Sequence, residues 1–191
     1  GGVIEERDKL FVQTPEAFGK RFNIDVRTNS EVTAIDTEQR QVTVKTIDGK
    51  TYTERYDKLL LSPAASPVVP PLPGIQSEGI FTLRNVNDTD RIKSYLSCHK
   101  VRRAVIVGGG FIGLEMAENL RHAGAEVAVV EMAPQVMGPI DYSMAALVHE
   151  HLQEQGVRLY LEQAVESFSR QGEALSVHFK SGIKLEADMS C

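Results

Sequence analysis

Three glycines and one glutamate have the types and the spacing of a dinucleotide-binding turn. Gly108, Gly110 and Gly113 follow the pattern G-x-G-x-x-G. In such a turn the first glycine permits a tight bend, the second lets the backbone approach a pyrophosphate, and the third lets a helix pack closely on a strand. Glu131 stands 23 residues after Gly108, where a carboxylate can accept hydrogen bonds from an adenosine ribose and would repel a 2′-phosphate. The pattern therefore predicts binding of NAD(H) rather than NADP(H).

The residues around this motif predict the elements that would position it. Residues 104–107 are an apolar run typical of a strand buried on both faces. A helix is expected to begin near Gly110, with its positive end toward the phosphates, and a second strand, 126–130, ends at Glu131. Two other interpretations stay open: the glycines serve only tight packing, and Glu131 is a solvated residue at the end of a strand.

Composition and charge narrow the class of protein. The 191 residues are 42% hydrophobic and 25% charged, which is typical of a globular protein. A net charge of −5 without a basic run argues against a nucleic-acid partner. No apolar segment approaches the length that spans a membrane, and no signal peptide is evident at the start, so we expect a cytoplasmic protein without a membrane partner.

Neither the cysteines nor the histidines predict a catalytic or metal site. Cys98 and Cys191 have no C-x-x-C or metal-ligand spacing. We expect Cys98 to be a small buried residue within a helix, and Cys191 to be a frayed chain end. His149 and His151 stand two apart on a predicted helix and so point different ways. No metal site and no serine nucleophile elbow are predicted.

The first half of the chain predicts a helix, an antiparallel meander and a proline-rich crossing. Thr14 and Pro15 are typical of a helix start. Short strands are expected at 24–27, 31–36, 41–47 and 51–56, with Asp48-Gly49 as a hairpin turn and with Val32, Ala34, Val42 and Val44 as candidates for the inner face. Residues 57–61 (DKLLL) are expected to be a buried strand. Residues 62–74 contain five prolines and are expected to be neither helix nor central strand.

The second half alternates between strands and helices, as α/β folds do. A helix over residues 90–97, capped by Asn87 or Asp88, precedes the glycine motif. After Glu131 we expect a helix over 142–155, a parallel strand over 157–161, and a meander over 164–188 with turns at Gln171-Gly172 and Ser181-Gly182. The predicted fold class is α/β, with a Rossmann-like unit of parallel sheet plus β-meander. The boundary between two domains is expected near residue 100.

Four segments resemble the pyridine nucleotide-disulfide oxidoreductases, and among them the CoA-disulfide reductase and NADH-dependent persulfide reductase branch. They are ERYDKLLLSPAASPVVPPLPGI (54–75), IFTLRNVNDTDRI (80–92), VGGGFIGLEMAENL (107–120) and EMAPQVMGPID (131–141). The resemblance implies a flavoprotein with FAD-binding and NAD-binding domains and a dimerisation domain, acting as a homodimer on a disulfide or persulfide of a small thiol. It implies that residues 1–101 are the middle portion of an FAD-binding domain and residues 102–191 an NAD(H)-binding domain.

The resemblance also implies roles for particular residues. Phe111 and Glu115 would lie near the nicotinamide, although Phe111 packed on the sheet and Glu115 as a solvated carboxylate are the alternatives. Glu31 and Val32 would lie near the flavin adenine. The expected cofactor-binding residues are Gly108, Gly109, Gly110, Phe111, Ile112, Gly113, Glu115 and Glu131 for NAD(H), and Glu31, Val32, Ser62, Pro63 and Ala64 for FAD.

Set against complete family members, this chain is expected to be truncated at both ends. The flavin's own glycine fingerprint and the redox cysteine would lie before residue 1, and the strand begun at residues 186–189 would continue beyond Cys191. No catalytic residue is therefore assigned. Ala64 stands where the branch often has glycine; if that position needs a positive φ, its methyl group costs about 1 kcal/mol and crowds the cofactor. FAD binding by this chain is accordingly in doubt.

Three hypotheses for the chain stay open at this point. The first is a portion of an NADH-dependent flavin disulfide or persulfide reductase, inactive by itself but able to bind nucleotide. The second is an NAD-binding module or regulatory remnant without flavin. The third is a fragment whose unpaired sheet edges drive association. Within the family, the NADH oxidases and peroxidases are an alternative branch.

Overall fold

The structure, a computed structural model, describes residue 9 and residues 11–172 and 174–191. The chain divides into two compact units, one ending at Ala65 and the other running from Ser66 to Cys191. Within the described part of the chain, no helix has both the length and the apolar character needed to cross a membrane.

The first unit begins with the predicted helix α1 (Pro15–Phe22). Thr14 caps it, its Oγ1 accepting a hydrogen bond from the Ala17 amide at 3.2 Å. Asn23 ends the helix in the left-handed conformation, with φ of 52°. This conformation turns the chain back so that the Ile24 amide reaches the Gly19 carbonyl at 3.1 Å. The predicted strand at 24–27 is therefore wrong, because the residues after α1 complete its C-terminal turn and are assigned to no strand.

A three-stranded antiparallel sheet follows, in the order β1-β2-β3. Its strands are β1 (Ser30–Asp36), β2 (Gln41–Thr46) and β3 (Thr51–Arg55), with the predicted turn at Asp48-Gly49 between β2 and β3. Val42 and Val44 are buried as predicted. Val32 and Ala34 are exposed, so their predicted inward position is wrong in this unit; the register of β1 shifts between them, which disturbs the alternation.

The predicted buried strand at 57–61 is also wrong. Residues 57–61 pair with no strand in the described part of the chain, and Leu60 is 90% exposed. An extended segment becomes a strand only when a neighbour accepts and donates its backbone hydrogen bonds. The proline-rich segment 62–74 has no helix or strand, as predicted.

The second unit is built on a parallel sheet with the order β10-β4-β5-β6. The strands are β4 (Arg103–Val107), β5 (Glu126–Val130), β6 (Arg158–Tyr160) and β10 (Met189–Ser190). Helix α3 (Phe111–His122) connects β4 to β5, and α4 (Tyr142–Glu154) connects β5 to β6. Strands β4, β5 and β6 and the starts of α3 and α4 agree with the predicted ones to within two residues, and these elements confirm the α/β fold class. The closing strand β10 begins at Met189, three residues later than predicted.

Alternate residues of β4 and β5 enter two separate cores. Ala104, Ile106, Val127 and Val129 pack with α3 and α4. Val105, Ala128 and Val130 pack with an antiparallel meander formed by β7 (Val165–Gln171), β8 (Ala174–Phe179) and β9 (Lys184–Ala187). The parallel strands are thus covered on both faces, which is why their sequences are continuous apolar runs. The meander and its two turns confirm the prediction for 164–188.

Helix α2 (Val86–Cys98) begins four residues earlier than the predicted helix. Its cap is Asn85, not Asn87 or Asp88: the Asn85 side chain accepts from the Asp88 amide, while the Asp88 carboxylate accepts from the Asn85 amide. Asn and Asp three residues apart are a reciprocal capping pair that the sequence contains.

The segment before β4 packs within the second unit. The Tyr95 hydroxyl donates to the Asp188 carbonyl at 3.0 Å, and the Phe81 amide donates to the Ser190 carbonyl at 2.9 Å. The compact units therefore divide at Ser66, earlier than the boundary expected near residue 100. The assignment of residues 1–101 and 102–191 to two cofactor domains concerns binding and stays a prediction.

Candidate dinucleotide-binding site

The glycine turn between β4 and α3 has the backbone geometry that the motif predicts. Gly108 has a φ of +112°, a conformation that favours glycine, and its amide donates to the Val130 carbonyl at 2.8 Å. A Cβ on Gly113 would lie 2.0 Å from the Gly108 carbonyl oxygen, so only glycine allows α3 to approach the turn. The structural roles predicted for Gly108 and Gly113 are confirmed.

The N-terminus of α3 is open at the same place. Its N-cap is Gly110, and no side chain caps the helix. The amides of the first turn have no acceptor within an α-helix, and the helix dipole adds partial positive charge there. A Cβ on Gly110 would meet no atom within 4 Å, so there is room for a ligand to approach this backbone. These features suit an anion such as a pyrophosphate.

Glu131 lies beside the turn, at the carboxyl end of β5. Its Oε2 accepts a hydrogen bond from the Gly109 amide at 2.7 Å, and its Oε1 accepts one from the Ala133 amide at 2.8 Å. Each carboxylate oxygen can accept a second hydrogen bond. The side chain is thus fixed by the backbone while it keeps acceptor capacity for the hydroxyls of a ribose.

The loop after β5 contacts Gly109, the residue between the first two motif glycines. Val136 is fully buried, and a Cβ on Gly109 would lie 2.8 Å from Val136 Cγ1. The Met137 amide donates to the Gly109 carbonyl at 2.8 Å. Neither residue is a predicted site residue, because a contact between a loop and a turn that are distant in the sequence has no signature in residue type.

A cleft of about 440 Å³ borders the turn and the first residues of α3. Phe111, Ile112 and Met116 line it together with Leu83 and Cys191. The Phe111 side chain is 64% exposed, so the alternative in which it packs on the sheet is not what the structure has. Ile112 and Glu115 are also exposed.

Both cysteines differ from their predicted environments. Cys98 is exposed at the end of α2 instead of buried. Cys191 is not frayed: its amide donates to the Val105 carbonyl at 3.0 Å, and its carbonyl accepts from the Val107 amide at 2.7 Å. Its backbone thus continues the hydrogen bonding between β10 and β4. Burial, with a smaller contribution from the Asp88 carboxylate, raises the pKa of the Cys191 thiol to about 11.

The residues expected near a flavin lie in the first unit. Glu31 and Val32 are exposed on β1, and Ser62, Pro63 and Ala64 are exposed in the proline-rich segment. Within the described residues no hydrogen bond joins these two groups. Ala64 has a φ of +61°, so the condition under which its methyl group is unfavourable is met. The structure thus brings the glycine turn and Glu131 together by hydrogen bonds, whereas no hydrogen bond among the described residues links the two groups of flavin candidates.

No group of three or more metal-ligating side chains occurs among the described residues. His149 on α4 instead accepts a hydrogen bond from the Val136 amide at its Nε2, at 3.1 Å. The cleft, the open helix end and the fixed carboxylate together define a Rossmann-like unit with a candidate site for a dinucleotide.

Comparison with known proteins names the family. Residues 3–191 match the profile of the family described as pyridine nucleotide-disulphide oxidoreductase. The chain belongs to this family, as its motifs predicted.

Individual relatives agree with that assignment. The chain is 33% identical over 190 residues to the coenzyme A disulfide reductase of Staphylococcus haemolyticus, covering 99% of this chain and 42% of that protein. It is 34% identical over 166 residues to the NADH oxidase of Methanocaldococcus jannaschii, covering 86% of this chain and 37% of that protein. The chain therefore spans about two fifths of the length of these two relatives.

The fold agrees with a solved structure over nearly the whole chain. The reduced CoADR-RHD of Bacillus anthracis superposes with a TM-score of 0.92 at 52% identity, covering 99% of this chain and 34% of that chain. The NAD-dependent persulfide reductase of A. fulgidus superposes with a TM-score of 0.90 at 33% identity, covering 99% and 35% of the two chains.

Proposed function

We propose that this chain supplies the NAD(H)-binding part of a flavin-dependent disulfide or persulfide reductase. The observation that carries the proposal is the position of the Glu131 carboxylate beside the uncapped N-terminus of α3. Between them, Gly109 is held by hydrogen bonds to the Glu131 carboxylate and the Met137 amide. One short turn thus offers donors for a pyrophosphate and acceptors for a ribose.

Each part of the dinucleotide has a counterpart among the residues of the turn. The amides from Gly110 to Gly113 would bind the pyrophosphate, and Glu131 would accept hydrogen bonds from the adenosine ribose. Phe111 and Glu115 would lie near the nicotinamide, where the exposed Phe111 ring is free to contact a planar ligand. The carboxylate favours NADH, because a 2′-phosphate beside it would bring two negative charges together.

In the whole protein, Glu31, Val32 and residues 62–64 would contact FAD. When bound, NADH would supply hydride and FAD would accept it, while the residues named above would hold the two groups in place. The substrate would be a disulfide or persulfide of a small thiol such as coenzyme A, and the protein would act as a cytoplasmic homodimer. Neither Cys98 nor Cys191 is assigned a catalytic role.

The experiment that tests this proposal is a calorimetric titration of the chain with NADH and with NADPH. We expect tighter binding of NADH. Glu131→Gln keeps the size of the side chain but replaces an acceptor oxygen by an NH₂ group, so it should weaken NADH binding by about tenfold and reduce the preference over NADPH.

A matched control is Glu126→Gln, because Glu126 is an exposed carboxylate at the opposite end of β5. This variant should bind NADH as the wild type does. Equal loss in the two variants would assign the effect to net charge. Failure of the wild-type chain to bind either nucleotide would overturn the proposal.

The second candidate is an NAD-binding module without flavin. The observation that favours it is the positive φ of Ala64 at a proposed flavin contact, because that backbone conformation is unfavourable for a residue with a Cβ. Titration of the chain with FAD, followed by visible absorbance and flavin fluorescence, separates the candidates. Saturable FAD binding would reject the module; NADH binding without FAD binding would support it.

A further inference from the structure

A histidine on α4 is hydrogen-bonded to the loop that supports the glycine turn. The Val136 amide donates to His149 Nε2 at 3.1 Å, and Val136 is fully buried. To accept this bond the ring must present a lone pair at Nε2, so His149 is neutral and carries its proton on Nδ1. The Tyr142 ring packs edge-on against the imidazole, at a centroid distance of 6.4 Å.

Val136 transmits this contact to the turn. Its Cγ1 occupies the space that a Cβ on Gly109 would need. The next residue, Met137, donates its amide to the Gly109 carbonyl at 2.8 Å, and the Gly109 amide donates to Glu131 at 2.7 Å. The position of Gly109 is therefore set by residues 131–137.

This loop has a conformation that needs external support. Met137 has a φ of +54°, which is unfavourable for a side chain larger than glycine. Such conformations persist where surrounding contacts impose them. The Ile140 amide donates to the Met137 carbonyl at 2.9 Å, and the Gln135 side chain donates to the Ile140 carbonyl at 2.8 Å. The hydrogen bond from Val136 to His149 also ties this loop to helix α4.

We propose that His149 is a positioning residue for dinucleotide binding. By accepting the Val136 amide it fixes Val136 against Gly109, and so holds the glycine turn in the shape that receives a pyrophosphate. This inference rests on the proposed function, because it concerns the same site. His149 itself is assigned no contact with the ligand.

Three variants of the full chain test the inference by NADH titration. His149→Leu removes the acceptor and leaves the buried Val136 amide without a partner, so NADH affinity should fall by about tenfold. His149→Gln places an amide oxygen near the position of Nε2 and should restore affinity to within about twofold of wild type. His151→Leu is the matched control: it makes the same change two residues along α4, at an exposed histidine, and should leave affinity unchanged.

Two measurements without NADH separate positioning from a general loss of structure. Amide hydrogen exchange at Val136 should accelerate in His149→Leu and return toward the wild-type rate in His149→Gln. In the wild type, ¹⁵N chemical shifts should show the protonated nitrogen of His149 to be Nδ1. The tautomer measurement uses the wild type alone, so it can be made even if His149→Leu does not fold.

The outcomes distinguish this inference from the proposed function. Normal NADH binding by wild type and by His149→Leu, or a proton on Nε2 in the wild type, would overturn the role of His149 alone. Failure of the glutamine variant to restore affinity in a folded chain would do so too. If the wild type binds neither nucleotide, the proposed function falls and the role of His149 in binding falls with it.

Discussion

The two units of this chain bury their apolar residues to very different degrees. In the second unit the parallel strands β4 and β5 are covered by helices on one face and by the meander β7–β9 on the other. In the first unit, Val42 and Val44 are the buried apolar residues among those described, and α1 buries none. Strands and helices can thus form from local sequence patterns, whereas a core depends on contacts between segments that are distant in the sequence.

The candidate site lies in the unit with the larger buried core, and this is physically reasonable. A binding turn must be held within a fraction of an ångström, which only a packed scaffold provides. Gly108, Gly113 and Glu131 are fixed by backbone hydrogen bonds and by close approach to β4 and β5. Of the proposed flavin contacts, Glu31 and Val32 are paired with β2 but exposed, and residues 62–64 are exposed and belong to no helix or strand.

The largest contrast between the units should come from adding one methyl group to a glycine. Gly113→Ala would place a Cβ 2.0 Å from the Gly108 carbonyl oxygen, where backbone must move. We expect it to lower the free energy of unfolding of the second unit by more than about 3 kcal/mol and to abolish NADH binding.

Its control lies in the first unit. Gly49→Ala meets no atom within 4 Å and changes only the backbone preference at a φ of +83°, so it should cost about 1 kcal/mol. Denaturant unfolding followed by circular dichroism measures both variants. Equal costs would mean that the close approach of α3 to the turn does not exist in solution.

The alkylation rates of the two cysteines test whether β10 stays paired with β4. The pKa of Cys191 is raised to about 11 by burial, so at pH 8 only about one molecule in a thousand carries the reactive thiolate. Cys98 is exposed. At pH 8 iodoacetamide should modify Cys98 at least about a hundredfold faster than Cys191.

The direction of the pKa shift also predicts how the alkylation rate of Cys191 depends on pH. Because the pKa of Cys191 is raised, its thiolate fraction and its alkylation rate should keep rising as the pH increases from 8 toward 11. Peptide mass spectrometry at several time points follows each site separately. Comparable rates at pH 8 would show that residues 189–191 leave the sheet.

Truncation of a valine in each sheet compares the two units directly. Val129 on β5 is fully buried, and Val129→Ala should lower the free energy of unfolding by about 2 kcal/mol. Val32 on β1 is 52% exposed, and Val32→Ala should cost less than about 0.5 kcal/mol. Chemical denaturation measures both. A similar cost at Val32 would indicate that its face of the first sheet is covered in solution.

The accuracy of sequence-based prediction follows the same division between local and long-range causes. The turn glycines, Glu131 at the end of β5, and the Thr14 cap depend on neighbours in sequence, and all were predictable. The start of α2 also has a local cause, because Asn85 and Asp88 form a capping pair that the sequence contains.

Other features depend on contacts that residue types do not specify. Residues 57–61 have the composition of a buried strand, but a strand also needs a partner for its backbone. The hydrogen bond from the Val136 amide to His149 links a loop to a helix across 13 residues. The position of Cys191 in the sequence predicts a frayed end, yet its backbone is hydrogen-bonded to Val105 and Val107.

The smallest expected effect concerns Ala64, where the first unit carries a local strain. Its φ of +61° is unfavourable for alanine, so Ala64→Gly should raise the stability of that unit by about 1 kcal/mol, minus the added entropy of the unfolded chain. Ala65→Gly adds the same entropy at a residue without a positive φ and should therefore be neutral or destabilising. Thermal unfolding of both variants measures the difference.

If Ala64→Gly also raises the affinity for FAD while Ala65→Gly does not, the methyl group of Ala64 lies at the flavin contact that the family resemblance implies. If the two variants have equal stability, residue 64 does not hold its left-handed conformation in solution, and the strain offers no reason to prefer the flavin-free module.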